Sequence, residues 1–300
     1  MNVKHRQFIG VDVGGTQIKM AAFAPDGRII NRWKRKTIDR PTRDVPHFAK
    51  TVRRMLRSSK SGAKRIGIAA PGVAARNGRF IAFQPGKMHG IEGFDWTTFL
   101  QRKECVPVLN DAQAALLGEV WRGAAVGCRN VVMLTLGTGV GGAVLCDGRL
   151  LRGAIGRAGH LGHTSVEPGG DRSIFGMPGA LETAIGDCTV SQRSGGRFSS
   201  TFQLIVAQLD GDVAAQRVWL KSVQTLARAV ASFINCFDPE IVIIGGGIAQ
   251  AGRTLFGPLT EFLDEIEWRP NGHRVHVKPA ALGEWAGTYG AAWNAMRTRI

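Results

Sequence analysis

Apolar runs broken by glycine and by an Asp-Gly turn mark the beginning of the chain. From Phe8 onward, the sequence FIGVDVGGTQIKMAAFAPDGRII predicts a meander of three strands. Residues 42–58 then carry apolar side chains at helical spacing, and KRIGIAAPG follows as a buried strand ending in a Pro-Gly turn. Antiparallel strands, a helix and a further strand in this order predict an α/β unit.

A second copy of this pattern lies at residues 130–151. There NVVMLTLGTGVGGAVLCDGRLL gives an apolar run, a glycine loop, another apolar run and an Asp-Gly-Arg turn. The repetition predicts two structurally related domains. We expect an N-terminal α/β domain at residues 1–112, completed by a C-terminal helix at 286–300, and a larger C-terminal α/β domain at 113–285.

The last third of the chain predicts three more elements. An apolar stripe from Val223 to Phe237 indicates a long helix that ends at Asp238-Pro239. The next apolar run, from Glu240 to Ile244, predicts a buried strand that leads into three glycines. The segment GEWAGTYGAAWNAMRTRI predicts a closing helix whose small residues permit close packing.

Composition places the chain among globular proteins. Of 300 residues, 44% are hydrophobic and 21% charged, without a polar or repetitive tract. No apolar run suits a membrane span or a signal peptide, so we expect a cytoplasmic protein without a membrane partner. The five cysteines include no CxxC pair, which favours free thiols in a reducing compartment.

Positive charge is concentrated near the N-terminus. The formal net charge is +16, and residues 28–65 hold fourteen Lys or Arg against two Asp. Such a segment attracts polyanions such as nucleic acid, polyphosphate or nucleotides, but it is also compatible with an ordinary solvated surface. Because no nucleic-acid motif accompanies it, we expect the solvated surface and no nucleic-acid partner.

Three glycine loops each follow a predicted strand. They are Gly14-Gly15-Thr16, Gly137-Thr138-Gly139 with the glycines after it, and Gly245-Gly246-Gly247. Glycine lets backbone N–H groups approach a phosphate, although a single glycine loop is equally typical of a hairpin turn. The chain has neither a P-loop nor a Rossmann fingerprint. Three loops, two of them in repeated positions, favour a nucleotide clasped between the domains.

Two acidic positions follow strands. Asp12 ends the first strand, where a carboxylate could hold a Mg²⁺-bound water beside phosphates or could simply cap a turn. Asn110 and Asp111 follow another short apolar run and open a helix, and both residue types are favoured helix caps. An Asp at such a strand end is also where a base could take a proton from an attacking hydroxyl group.

Five ordered motifs give a family resemblance that covers nearly the whole chain. DVGGTQIK, VLNDAQAALLGE, LTLGTGVGG, AGHLGH and FDPEIVIIGGG together resemble the ROK sugar kinases of the actin-like ATPase superfamily. The resemblance implies two related actin-like ATPase (ribonuclease H-like) domains with an interdomain cleft. It also implies a homodimer, and γ-phosphoryl transfer from Mg-ATP to a hydroxyl of a hexose or N-acetylated amino sugar, as in a glucokinase.

The resemblance assigns roles by position. Asp111 would be the general base, and Asp12 would hold Mg²⁺ through water. Sugar contacts are implied for Gly72, Asn110, His160, His163 and Glu182. Nucleotide contacts are implied for Asp12, Gly14, Gly15, Thr16, Lys19, Gly137, Thr138, Gly139, Gly245, Gly246 and Gly247.

The chain departs from the family pattern near the sugar-binding residues. Many members carry GExGH and then CxCGxxGCxE, whose last His and three Cys bind a structural zinc; here the thiolate positions are Ser173, Phe175 and Ala180. One remaining His is not a tetrahedral zinc site, so we predict no structural zinc and expect Phe175 and Pro178 to hold the loop by burial and rigidity. His160 replaces the family's glutamate, which leaves the identity of the sugar open.

Two other functions remain. A non-catalytic sugar sensor or regulator of the same fold would bind sugar without turnover. A polyphosphate-dependent sugar kinase would use segment 28–65 to attract its donor.

Overall fold

A computed structural model describes residues 7–298 of the chain. The chain divides into two compact units. Within the described residues, the first unit runs to Gly127, includes Arg152–Ala158 and resumes at Ala281. The second unit comprises Cys128–Leu151 and Gly159–Ala280.

The strands have the following bounds. They are β1 (Phe8–Val13), β2 (Gln17–Phe23), β3 (Ile29–Lys36), β4 (Arg65–Ala70), β5 (Val73–Ala74), β6 (Ile81–Phe83), β7 (Val108–Asn110), β8 (Val131–Leu136), β9 (Val140–Cys146), β10 (Arg149–Leu150), β11 (Ile241–Gly245) and β12 (His276–Pro279).

The helices alternate with these strands. They are α1 (His47–Ser58), α2 (Trp96–Phe99), α3 (Asp111–Arg122), α4 (Leu181–Ile185), α5 (Val190–Arg193), α6 (Thr201–Leu209), α7 (Val213–Phe237), α8 (Arg253–Ile266) and α9 (Ala286–Arg297). Single 3₁₀ turns occur at Leu161–His163, Asp187–Thr189, Ile248–Ala251, Pro270–Gly272 and Gly283–Trp285.

The first unit is built on a five-stranded sheet of order β3-β2-β1-β4-β7. The predicted meander is present, because β1 pairs antiparallel with β2, and β2 pairs antiparallel with β3. Strands β1, β4 and β7 are parallel, so their carboxyl ends meet at one edge of the sheet. Side chains that follow these three strands are therefore brought together.

The second unit repeats this arrangement in a sheet of order β10-β9-β8-β11-β12. Its first three strands again form a meander, and β8, β11 and β12 are parallel. Both Asp-Gly-Arg turns place their glycine at positive φ, 84° at Gly27 and 74° at Gly148. The repeated pattern in the sequence thus corresponds to two sheets of the same strand order.

Helix α3 belongs to the first unit, which extends past the expected domain boundary at residue 112. The reason is its packing against α9, where the two backbones come unusually close. A Cβ on Gly290 would collide with the carbonyl oxygen of Ala114, and one on Gly118 would lie 2.5 Å from the carbonyl oxygen of Ala286. The small residues of the C-terminal segment thus permit the close packing that the sequence predicts. The ends of the expected ranges, residues 1–6 and 299–300, lie outside the described chain.

The long helix of the second unit begins earlier than its apolar stripe indicates. Helix α7 starts at Val213, where the side chain of Asp212 accepts hydrogen bonds from the N–H groups of Ala214 and Ala215. It ends at Asp238, whose φ of 42° is left-handed. Its apolar face is buried in the core of the second unit.

The helices and cysteines of the described chain add two facts. No helix within residues 7–298 combines the length and hydrophobicity needed to cross a lipid bilayer. The five cysteines are all free thiols, as the absence of a CxxC pair predicts. The cytoplasmic location stays a prediction.

The contact between α9 and α3 predicts a large cost for one added methyl group. Gly290→Ala should lower the free energy of unfolding by about 1–3 kcal/mol, because the backbone of α3 must move to admit the Cβ. Gly62→Ala is the control, since a Cβ there meets open space and the residue is not at positive φ. Urea unfolding measures both. Equal stability of the two variants would contradict this account of the packing.

Candidate active site

The carboxyl edge of the first sheet gathers four of the predicted site residues. In the strand register, Asp12 of β1 is level with Ala69 of β4, and Ala70 is level with Asn110 of β7. Gly72 follows β4, and Asp111 begins α3 directly after β7. Parallel strand order is therefore what brings together residues that are far apart in the sequence.

Asn110 has a structural role at this edge. Its side-chain oxygen accepts from the N–H groups of Ala112 and Gln113, and the Gln113 side chain accepts in return from the Asn110 N–H, which completes a capping box. Its Nδ2 donates to the Gly72 carbonyl oxygen at 2.8 Å. The same side chain also interacts with the Asp111 carboxyl group, which lowers the pKa of Asp111 against the rise caused by its surroundings.

The carboxyl groups of Asp12 and Asp111 resist ionising together. Burial raises the pKa of Asp12 to about 7; the neighbouring Asp111 adds to the rise, and Lys19 opposes it. Asp111 is open to solvent, yet the protein around it also raises its pKa, against the hydrogen bond from the Ala112 N–H. The ionised form of each carboxyl group is therefore disfavoured, mainly because solvent is removed from it.

A divalent cation would favour the ionised form of these carboxyl groups. Oxygen ligands from carboxylates and water are what Mg²⁺ prefers, and two coupled carboxylates would be relieved by its charge. Asp12, held between Lys19 and the backbone of Gly287, is the side chain that would hold the ion through water. Bound there, Mg²⁺ would neutralise charge on phosphate oxygens.

The first glycine loop is braced by a residue that the sequence did not single out. Thr37 donates its hydroxyl to the Gly14 carbonyl oxygen at 2.6 Å, and its N–H donates to the Thr16 carbonyl oxygen at 2.9 Å. Gly15 has open space where a Cβ would lie, so its backbone is accessible to a ligand. Lys19 Nζ lies 3.7 Å from Glu284 Oε2, so this carboxylate offsets part of the positive charge of Lys19.

The two glycine loops of the second unit lie at the carboxyl ends of neighbouring parallel strands. Gly245 of β11 is level with Thr135 of β8. Gly246 has φ of 91°, and a Cβ there would collide with the Leu136 carbonyl oxygen, so the position requires glycine. Gly137 and Gly247 have no neighbour where a Cβ would lie.

A cavity of about 520 Å³ is lined by both of these loops and by helix α6. Gly137, Thr138 and Gly247 form one wall. The α6 wall is apolar, and its Phe202 is 76% exposed. Large apolar side chains that are exposed to solvent beside glycine loops indicate a site for the apolar part of a ligand.

The predicted sugar contacts of the second unit carry unsatisfied polar atoms. His160 Nε2, His163 Nδ1 and Glu182 Oε1 are buried without a hydrogen-bond partner. The two imidazole rings are parallel, with centroids 6.3 Å apart. Burial lowers the pKa of His160, and the neighbouring His163 adds to the effect. Buried polar atoms without partners are rare, and bound hydroxyl groups would satisfy them.

Hydrogen bonds centred on Ser173 hold the loop that follows these histidines. The Ser173 hydroxyl accepts from the N–H groups of Phe175 and Met177, and its own N–H donates to the Met177 carbonyl oxygen. The expectation that Phe175 is buried is wrong, because 46% of the residue is exposed. Its ring packs edge-on against the His163 ring, with the two centroids 5.1 Å apart. The loop is therefore held by hydrogen bonds to the Ser173 hydroxyl and not by burial of an apolar side chain.

The donor atoms near His163 do not fit zinc. Ser173, Phe175 and Ala180 supply no thiolate, and within residues 7–298 no three His, Cys, Asp or Glu side chains cluster as metal ligands would. The absence of a structural zinc stays a prediction.

Comparison with known proteins identifies the family. The ROK family profile matches residues 8–298. The chain belongs to the ROK family. This confirms the resemblance based on the five sequence motifs, and the actin-like fold of the family agrees with the two related sheets.

Several similar proteins are named as sugar kinases. The glucokinase of Thermotoga maritima is 35% identical, with 98% of each chain covered. The N-acetylmannosamine kinase of Citrobacter koseri is 32% identical, covering 95% of this chain and 97% of that one. A Streptomyces griseus ROK glucokinase, solved with glucose and AMPPNP, is 27% identical with a TM-score of 0.78, covering 97% of this chain and all of that one.

Sequence reasoning missed three contributors to the candidate site. Thr37 and Ser173 act through hydrogen bonds to backbone that no motif reveals. In the sequence, the apolar positions of α6 look like those of any amphipathic helix, so their exposure is not apparent. Only a count of large apolar residues on both faces of that helix could have indicated them.

The raised pKa of Asp12 predicts a pH-dependent stability. An unfolded Asp titrates near 3.8, so the folded protein binds an extra proton between about pH 4 and 7, and Asp12 makes folding less favourable as the pH rises through that range. Asp12→Asn should therefore stabilise the protein relative to wild type more at pH 8 than at pH 5. Urea unfolding in EDTA at both pH values measures this. An equal difference at both would contradict the assignment.

Proposed function

We propose that this ROK protein is a sugar kinase that transfers the γ-phosphoryl group of Mg-ATP to a hydroxyl of a hexose or an N-acetylated amino sugar. The glucokinase and N-acetylmannosamine kinase activities of its relatives support this substrate class. The Streptomyces griseus structure with glucose and AMPPNP supports a sugar and an adenine nucleotide as ligands.

The position of Asp111 and Asp12 at the same edge of the first sheet is the observation that carries the proposal. Asp111 is solvent-accessible at the start of α3, and its pKa is raised, which suits a group that must accept a proton. Asp12 beside it supplies the charge for Mg²⁺. A base next to a cation site is the arrangement that phosphoryl transfer to a hydroxyl requires.

In the proposed transfer, a sugar oxygen replaces the bridging β-phosphate oxygen on the γ-phosphorus. Asp111 takes the proton of the sugar hydroxyl, and the oxygen forms a bond to the γ-phosphorus. The bond between that phosphorus and the bridging oxygen of the β-phosphate breaks, and ADP leaves. Backbone N–H groups of the glycine loops, such as that of Gly15, would contact phosphate oxygens.

The sugar would be held by the unsatisfied atoms of the second unit. His160 Nε2, His163 Nδ1 and Glu182 Oε1 offer one carboxylate acceptor and two imidazole nitrogens. Because His160 stands where the GExGH motif of the family has glutamate, a panel of hexoses and N-acetylated amino sugars is needed to find the preferred sugar.

The apolar wall of the cavity favours a nucleotide over polyphosphate. Polyphosphate has no apolar part, whereas a purine base can stack on Phe202 and pack on Ile205 and Leu209 of α6. The basic segment 28–65 would still attract either donor over longer distances. We therefore take ATP as the donor.

An ADP-release assay over a panel of hexoses and N-acetylated amino sugars, with ATP or polyphosphate as donor, tests the proposal. We expect sugar-dependent ADP release from ATP. Sugar binding without any ADP release would instead favour the non-catalytic sensor, and sugar phosphorylation only with polyphosphate would overturn the choice of donor.

The role of Asp111 predicts a specific loss. Asp111→Asn should lower kcat by at least about a hundredfold, because general-base assistance is typically worth 10²–10⁴ in rate, while sugar affinity changes little. Asp44→Asn, on an exposed loop, is the matched control. The ADP-release assay and sugar calorimetry measure the two effects. Near-normal turnover in Asp111→Asn would refute the assignment.

The apolar wall predicts an effect on the donor alone. Phe202→Ala should raise the KM for ATP about fivefold or more, since stacking of a base on an aromatic ring is worth about 1–3 kcal/mol, and should leave the KM for sugar unchanged. Trp268→Ala, which removes another exposed aromatic ring of the second unit, is the control. An unchanged KM for ATP in Phe202→Ala would place the base elsewhere.

A further inference from the structure

Glu182 is the one predicted sugar contact whose carboxylate also touches a glycine loop. It lies in α4 and is buried. Its Oε2 accepts a hydrogen bond from the Val140 N–H at 3.2 Å, while its Oε1 is buried without a partner. A Cβ on Gly139 would collide with Oε2, so the glycine lets the carboxylate lie directly against the loop backbone.

Backbone hydrogen bonds join the end of α4 to the same loop. The Asp187 N–H donates to the Gly137 carbonyl oxygen, and the Cys188 N–H donates to the Thr138 carbonyl oxygen, both at 2.9 Å. Between them and α4, Gly186 lies against Thr138 and Gly139 with no room for a side chain. Helix α4 and the loop Gly137–Gly139 are therefore linked at the side chain and at the backbone.

The same helix is also linked to the histidines. The Leu181 N–H donates to the Thr164 carbonyl oxygen at 2.9 Å, one residue after His163. His160 Nε2, His163 Nδ1 and Glu182 Oε1 are thus unsatisfied atoms on connected segments. A ligand hydroxyl that donates to Glu182 Oε1 would fix the carboxylate whose other oxygen holds the loop.

We propose that Glu182 couples sugar binding to nucleotide binding. Donation of a sugar hydroxyl to Oε1 would hold the carboxylate in the orientation in which Oε2 accepts from Val140. This would order the loop Gly137–Gly139 for a phosphate before the nucleotide arrives. Each ligand then strengthens the binding of the other, because a coupling between two binding sites is reciprocal. The inference rests on the proposed function and makes Glu182 a positioning residue for the phosphate loop.

Calorimetry of ADP with and without saturating sugar tests the coupling, with glucose and N-acetylmannosamine as probes and no turnover possible. In the wild type, sugar should strengthen ADP binding about fivefold or more. Glu182→Gln keeps an oxygen that can accept from Val140 but replaces the free acceptor with a donor. We expect its ADP affinity without sugar to stay within about twofold of wild type, and the gain on adding sugar to disappear. Glu265→Gln, an exposed residue of α8, should behave as wild type.

Three outcomes overturn the inference in distinguishable ways. Wild type that binds ADP and sugar without coupling contradicts the inference alone. An ADP affinity in Glu182→Gln that falls without sugar would mean that Glu182 only supports the loop. Wild type that binds neither sugar, and releases no ADP with any sugar of the panel, contradicts the proposed function as well.

A measurement on the wild type serves if Glu182→Gln does not fold or does not saturate with sugar. Hydrogen exchange of peptides covering residues 137–142 should slow when sugar alone is added. Unchanged exchange in a protein that binds the sugar would overturn the coupling.

Discussion

The unfavourable ionisation of Asp12 and Asp111 at one edge of the first sheet is the constraint on which the candidate site depends. Parallel strand order places both carboxyl groups at one edge of the first sheet, and the surrounding protein raises the pKa of each. Lys19 offsets only part of the charge at Asp12. A divalent cation would favour the ionised form of both groups, which is the form that the proposed reaction needs.

Close backbone approaches hold this edge in place. Helix α9 contacts β1, β4 and α3 through positions where a single methyl group would collide with a carbonyl oxygen, such as Gly10, Gly67 and Gly290. Gly287 of the same helix lies against the Asp12 carboxyl group. The residues that fix Asp12 are therefore small because the helix passes directly behind it. In the second unit Gly139 has the corresponding use, since it lets Glu182 reach the loop backbone.

Patterns in the sequence predict much of this fold because they reflect local rules. Turn glycines, apolar alternation and the repeated Asp-Gly-Arg turn indicated both meanders, and strand ends indicated where Asp12 and Asp111 lie. Contacts between distant segments could not be predicted in this way. The hydroxyl of Thr37 on Gly14, the Ser173 turn in place of a buried Phe175, and the extension of the first unit to Gly127 all depend on which backbones meet. Asn110 shows the limit, because the sequence signal of a helix cap does not reveal whether the same side chain also binds a ligand.

A crystal structure with AMPPNP and a sugar that the protein phosphorylates would show whether Asp111 is the base. We expect the attacking hydroxyl to lie within about 2.6–3.2 Å of the Asp111 carboxylate and in line with the γ-phosphorus. A hydroxyl in line with that phosphorus whose nearest acceptor is another residue, with Asp111 out of reach, would contradict it.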